Sequence, residues 1–196
     1  MLPCELYLII PPEFDAGSDL DALVSIIRKW HPAALRLDGP DERRAESLVN
    51  ALRETVQRHD VALILTDLPA LAAQTGCDGV HLSGTAARCA LARAELGRDL
   101  QLGVFCGTSR DDAMIAGELG ADYIAVAPDA PDLITWWSQM MELPVIAENV
   151  SDADQALAMA RAGADFLSIP LDFASEDGAE RQLAGILSRL AEEYPE

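Results

Sequence analysis

Gly76-Cys77-Asp78-Gly79-Val80-His81-Leu82 has two near-copies further along the chain, Gly120-Ala121-Asp122-Tyr123-Ile124-Ala125-Val126 and Gly163-Ala164-Asp165-Phe166-Leu167-Ser168-Ile169. Their leading glycines stand 44 and 43 residues apart, and self-similarity at a fixed period is a property of architecture. In each copy the Gly suits a left-handed exit from a helix, and the apolar residues after it suit a short buried strand. One period further back lies Pro32-Ala33-Ala34-Leu35-Arg36-Leu37, another helix exit running into an apolar strand. A period of this length is too long for one strand–helix unit and fits two. Four such periods make eight units, the plan of a single compact (β/α)8 TIM barrel over residues 1–196.

Working outward, eight apolar runs read as strands: Glu5–Ile10, Ala34–Asp38, Ala62–Thr66, Gly79–Leu82, Gln101–Phe105, Tyr123–Ala127, Val145–Glu148 and Phe166–Ile169. Short and almost continuously apolar, they suit a parallel sheet covered on both faces. The stretches between them carry helix signals. Ser18-Asp19-Leu20-Asp21 opens the first, Asp41-Glu42 the second, Ser109-Arg110-Asp111-Asp112 the fifth and Ser151-Asp152-Ala153-Asp154 the seventh. Acidic residues in a first turn favour the helix dipole. The last helix is expected over Gly178 to Glu193.

The formal charge of −19 repels nucleic-acid backbones and anionic membranes, so neither is an expected partner. Lys29 is the only lysine and lies at the end of a helical stretch, which leaves none for Schiff-base chemistry at a barrel mouth. The four cysteines, Cys4, Cys77, Cys89 and Cys106, show no C-x-x-C spacing and read as buried thiols. No apolar run is long enough for a membrane span, and the N-terminus lacks the basic region of a targeting peptide; the expected location is the cytoplasm.

Leu63-Ile64-Leu65-Thr66-Asp67-Leu68, then Leu71-Ala72, then Gly76 to Leu82, resembles the thiamine-phosphate synthase / thiazole tautomerase family, which reads I-L-N-D-R, D-L-A and G-A-D-G-V-H-L-G-Q in the same register. Leu102-Gly103-Val104 resembles its I-G-V-S strand, Gly120 to Pro128 its G-A-D-Y-I-G-V-G-P, and Pro144-Val145-Ile146-Ala147 its P-V-V-A. The resemblance runs from Leu6 to about Pro170. It implies a barrel that joins a pyrimidine methyl diphosphate to a thiazole phosphate and expels pyrophosphate with Mg²⁺.

The residues that the resemblance assigns to this work are mostly replaced. Its Q-x-R-x-K falls on Ala34, Arg36 and Asp38, so the arginine survives and the lysine has become an acid. Its N-D-R falls on Thr66, Asp67 and Leu68, and a second metal-binding aspartate falls on Ala86. The serine of the fifth strand is Phe105, and the threonine-rich loop ending in lysine falls on Ala130 to Thr135. The glycine pair that cradles a phosphate is Asn149-Val150, the last serine is Leu171, and the tautomerase histidine falls on Pro128. Diphosphate needs cations and free N–H groups to replace its hydration. The chain therefore reads as a divergent family member, related to thiamine biosynthesis by ancestry, that does not run the standard condensation. If active, it is a transferase of that type or a diverged barrel enzyme.

Candidate residues follow from the strand ends, where barrels place their sites. Asp67 and His81 are the catalytic candidates, and Arg36, Thr66, Asn149 and Ser168 the substrate-binding ones. Asp67 and Glu148 are the metal candidates, with Mg²⁺ the one cofactor implied. Asp38, Asp67, Asp129, Glu148 and Asp172 are expected to ring the mouth and raise one another's pKa, with Arg36 as its one fixed cation. Two other readings stay open: a non-catalytic binding or regulatory barrel, and a metal-assisted acid–base enzyme acting on a neutral or cationic small molecule. Trp136 and Trp137 read as a subunit contact rather than a lid, and family barrels often pair, which allows a homodimer.

Overall fold

The computed structural model describes residues 3–39, 41–84, 86–175 and 177–195. Eight parallel strands follow one another round a closed barrel: β1 (Glu5–Ile10), β2 (Ala34–Leu37), β3 (Ala62–Thr66), β4 (Gly79–Leu82), β5 (Gln101–Phe105), β6 (Tyr123–Val126), β7 (Val145–Ala147) and β8 (Phe166–Pro170), with β8 closing on β1. Eight helices alternate with them: α1 (Leu20–Trp30), α2 (Glu42–Gln57), α3 (Pro69–Thr75), α4 (Cys89–Leu96), α5 (Arg110–Glu118), α6 (Pro131–Met140), α7 (Ala153–Ala162) and α8 (Gly178–Glu193). A short 3₁₀ turn, Ala86–Arg88, precedes α4.

Strand ends differ from the sequence reading by one residue at most. Asp38 and Glu148 fall just past β2 and β7, yet their N–H groups still donate to Ile10 O (3.1 Å) and Val126 O (2.8 Å). The ladder outlasts the assigned strand, as boundaries commonly do. Side chains alternate across the wall. Leu6, Leu8, Leu35, Leu63, Val80, Leu102, Ile124 and Leu167 face the helices in the larger core. Tyr7, Ala34, Ile64, Tyr123, Ala125 and Ile146 fill the barrel interior, with Phe105 and Phe166 packed against them.

The repeated phrase has a structural purpose. Gly76, Gly120 and Gly163 take φ of 74°, 93° and 98°, and in the first period His31 takes the same left-handed turn at 46°. The aspartate of each copy reaches back to the strand before it. Asp78, Asp122 and Asp165 accept from the N–H of Leu63 (2.7 Å), Leu102 (2.7 Å) and Val145 (2.8 Å). Each carboxylate thereby pins β4, β6 or β8 to the start of its neighbour. In the first period Ala33 keeps only the backbone bond, N–H to Leu6 O at 2.9 Å. Asp165→Ala is therefore expected to cost about 1–3 kcal/mol by leaving the Val145 N–H without its acceptor, read as a lower urea midpoint at unchanged m.

Asp41, Ser109 and Asp152 cap α2, α5 and α7 by accepting from N–H groups three residues on, as their sequence positions predict. Asp19 precedes α1 without a side-chain cap bond. The tryptophan pair divides. Trp137 is buried and donates to Leu143 O (2.7 Å), whereas the partly buried Trp136 carries the Arg110 guanidinium 4.7 Å above its ring. The pair thus belongs to the α6 packing. All four cysteines are free and buried, and burial pushes the Cys4 and Cys106 thiols up to about 12. Among the described residues no helix is long and apolar enough to cross a membrane.

Candidate functional site

The strand parity that buries Tyr7 and Tyr123 also turns Arg36 (β2), His81 (β4), Ser168 (β8) and Glu148 (after β7) into the barrel. Among the described residues, Arg36 is the only cationic side chain on any strand. Its Nη2 donates to Glu148 Oε1 at 2.6 Å, and the two side chains are 3% and 5% exposed. At that burial the pair is an internal ion pair shielded from solvent. His81 Nε2 lies 4.0 Å from the same Glu148 oxygen, while its Nδ1 approaches the Tyr123 hydroxyl at 3.4 Å. The Tyr123 and Tyr7 hydroxyls share a hydrogen bond of 3.0 Å. Arg36 Nε and Nη1, Glu148 Oε2, His81 Nε2 and Ser168 Oγ are buried without a hydrogen-bond partner in the protein.

These surroundings fix the protonation states. Burial alone would pull the Arg36 pKa down, but attraction to the Glu148 carboxylate overcomes it, and the guanidinium stays charged. Burial raises Tyr7 and Tyr123, so both remain phenols. Burial, reinforced by the Arg36 charge, holds His81 well below the ordinary imidazole value, so it is neutral near pH 7. The sign of the pH effect follows. Unfolded His81 takes a proton below about pH 6.5 and folded His81 does not, so acid favours unfolding. Wild-type stability should fall relative to His81→Gln by up to about 1.4 kcal/mol per pH unit below that point. Urea midpoints at pH 7, 6 and 5 measure the difference, and parallel profiles would count against a buried neutral imidazole.

The mouth is built differently from the sequence expectation. Asp67 follows β3 with φ of 58°, and its N–H donates to His81 O (3.0 Å), but its side chain turns away from the interior. It accepts from the Ser83 hydroxyl and from Arg88 Nη1 (2.7 Å). Arg88 is thus a second cation at the mouth, which corrects the reading of Arg36 as the only one. Thr66 donates to Asp38 Oδ1 (3.0 Å), and Asp38 in turn lies 3.7 Å from Arg36 Nη2. Asn149 is exposed beyond β7 with φ of 54°, and the next N–H, that of Val150, already donates to Ser168 O (2.8 Å). Glu148 leaves the expected ring of carboxylates for the interior. Asp172 moves opposite to the expected crowding effect: the Ser175 hydroxyl and the Ala174 N–H hold it below the usual carboxylate range.

A family model described as thiamine monophosphate synthase matches residues 6–170. The chain belongs to the thiamine monophosphate synthase family. It is 40% identical over 184 residues to a thiamine-phosphate synthase of Rhodospirillum centenum, covering 86% of this chain and 88% of that one. The corresponding protein of Erythrobacter litoralis is 35% identical over 188 residues, covering 86% and 87%. The thiamine phosphate pyrophosphorylase structure from Pyrococcus furiosus superposes with a TM-score of 0.76 at 18% identity, covering 97% of this chain and 98% of that one. That likeness shows the shared barrel.

Within the thiamine monophosphate synthase family this chain's residues do not suit the implied Mg²⁺. Arg88 and Ser83 already engage both Asp67 oxygens, Glu148 sits on Arg36 inside the barrel, and the position of the second family aspartate is a buried Ala86. Among the described residues no group of three His, Cys, Asp or Glu side chains could hold a metal ion. Asp67 and Glu148, expected together as metal ligands, thus lie apart, one on Ser83 and Arg88 and the other on Arg36. The two catalytic candidates lie apart: His81 faces the barrel interior beside Tyr123, and Asp67 faces Ser83 and Arg88 at the mouth. Of the candidate residues, the structure unites Arg36, His81, Glu148 and Ser168, with Thr66 joined through Asp38. Tyr7, Tyr123 and Arg88 were missed. Strand parity points to the two tyrosines, but nothing local in sequence links Arg88 to Asp67.

Proposed function

We propose that this chain is a diverged thiamine-phosphate-synthase-like barrel that keeps the family architecture but does not run the condensation of a pyrimidine diphosphate with a thiazole phosphate. The observation that carries this reading is the buried Arg36–Glu148 pair at 2.6 Å. A diphosphate entering the barrel would have to compete with an internal carboxylate for the one guanidinium there, and would itself lose hydration. Asp38, Asn149-Val150 and the unsuitable metal residues point the same way. What remains is a mouth with exposed acids, Asp129 and Asp172, suited to a neutral or cationic small molecule.

The relatives that carry the synthase name favour a second reading, in which the chain performs the standard transferase reaction with a rearranged site. Thermal unfolding with the pyrimidine diphosphate, the thiazole phosphate and pyrophosphate, each with and without Mg²⁺, separates the two. A ligand that binds only the folded chain raises its melting temperature by mass action. The first reading expects no saturable shift with any of the three; a saturable shift with both substrates supports the second.

A further inference from the structure

Arg36 presents five N–H donors, and a single hydrogen bond to Glu148 leaves Nε and Nη1 unpartnered while Glu148 keeps an unpartnered Oε2. All of these atoms lie on side chains more than nine-tenths buried. The charges of the pair cancel. An added anion would meet the Glu148 carboxylate at the same guanidinium, and like charges at that separation in a poorly screened interior repel strongly. Asp38, 40% exposed, stands 3.7 Å from Arg36 Nη2 and lies between the pair and the mouth solvent. Remove the Glu148 charge, and Arg36 becomes a buried cation with free donors, facing the partly exposed Asp38 carboxylate at 3.7 Å as its remaining counter-charge.

We propose that Glu148 is the charge-selectivity residue of this barrel, a resident carboxylate that closes Arg36 to phosphate-bearing ligands and whose loss turns the interior into an oxyanion site. The inference rests on the reading that the native chain does not bind diphosphate, and it names the residue responsible. Thermal unfolding with inorganic phosphate tests it on the wild type, on Glu148→Gln, on Glu148→Ala and on Glu148→Gln combined with Arg36→Met. Phosphate is expected to leave the wild type unmoved. It should raise the Glu148→Gln midpoint by about 3–6 °C at a tenfold excess over its dissociation constant. Glu148→Ala vacates more room and loses stability on its own, so phosphate should restore part of its melting temperature. The Arg36→Met double variant should be silent.

Folded Glu148→Gln and Glu148→Ala proteins that ignore phosphate would overturn the proposal, as would a wild type that responds as strongly as they do. Turnover of the two family substrates by the wild type would instead overturn the reading on which it rests.

Discussion

Glu148→Leu alone is expected to destabilise the barrel by about 3–5 kcal/mol, because it leaves the buried Arg36 guanidinium without its hydrogen-bonded carboxylate and with only the partly exposed Asp38, 3.7 Å away, as counter-charge. That is a large share of the roughly 5–15 kcal/mol that holds a typical domain together. Arg36→Met alone should cost a similar amount by stranding the carboxylate. The double variant, Arg36→Met with Glu148→Leu, should return to within about 1–2 kcal/mol of the wild type or exceed it, since two apolar side chains remove the desolvation cost of both ions. Urea unfolding of the four proteins closes the cycle. A strong coupling between positions 36 and 148 is the expected result. Additive losses would mean that the two side chains act through packing alone.

Gly79→Ala is the second large effect. A methyl group on Gly79 would lie 2.3 Å from Gln101 O and 2.7 Å from Gln101 Cβ. Gly79 and Gln101 are register partners on β4 and β5, so the obstacle includes the backbone of the neighbouring strand. Backbone cannot rotate away as a side-chain tip does. The cost should reach the upper end of what overpacking produces, about 3 kcal/mol or more. Gly103→Ala meets a different obstacle, with the new methyl 2.0 Å from Tyr123 ring atoms, and relief there would displace a ring whose hydroxyl bonds Tyr7. Gly185→Ala in α8 is the control. Nothing lies within 4 Å of its methyl position, so helix propensity should make it neutral or stabilising by up to about 1 kcal/mol. Equal midpoints for Gly79→Ala and Gly185→Ala would refute the packing account of β4.

The barrel was legible because its signals repeat. Gly76, Gly120 and Gly163 mark three helix exits, and the aspartates two residues later hold neighbouring strands together, so the same local physics is written three times over. The site was legible only in its members. Arg36, His81, Glu148 and Ser168 were each recognisable as polar residues near strand ends, but whether such a side chain turns into the barrel or out to the mouth depends on parity at the last residue of the strand. Glu148 illustrates this. Read as one of five mouth acids, it lies in the interior, paired with a residue 112 positions away. Asp67 errs in the opposite sense. Its position suggests a metal ligand, while its left-handed backbone and Arg88, 21 residues downstream, make it a surface ion pair. Long-range charge pairing leaves no period and no spacing to read.

The most direct test of the central claim is the condensation itself. Purified chain would be supplied with the pyrimidine diphosphate, the thiazole phosphate and Mg²⁺, beside the Rhodospirillum centenum relative under identical conditions, with thiamine phosphate and pyrophosphate both quantified. With Arg36 committed to Glu148, the chain should form product at least about a thousandfold more slowly than the relative, equivalent to about 4 kcal/mol of lost transition-state stabilisation. Turnover within about tenfold of the relative would contradict the account and show that the buried ion pair opens for the substrate.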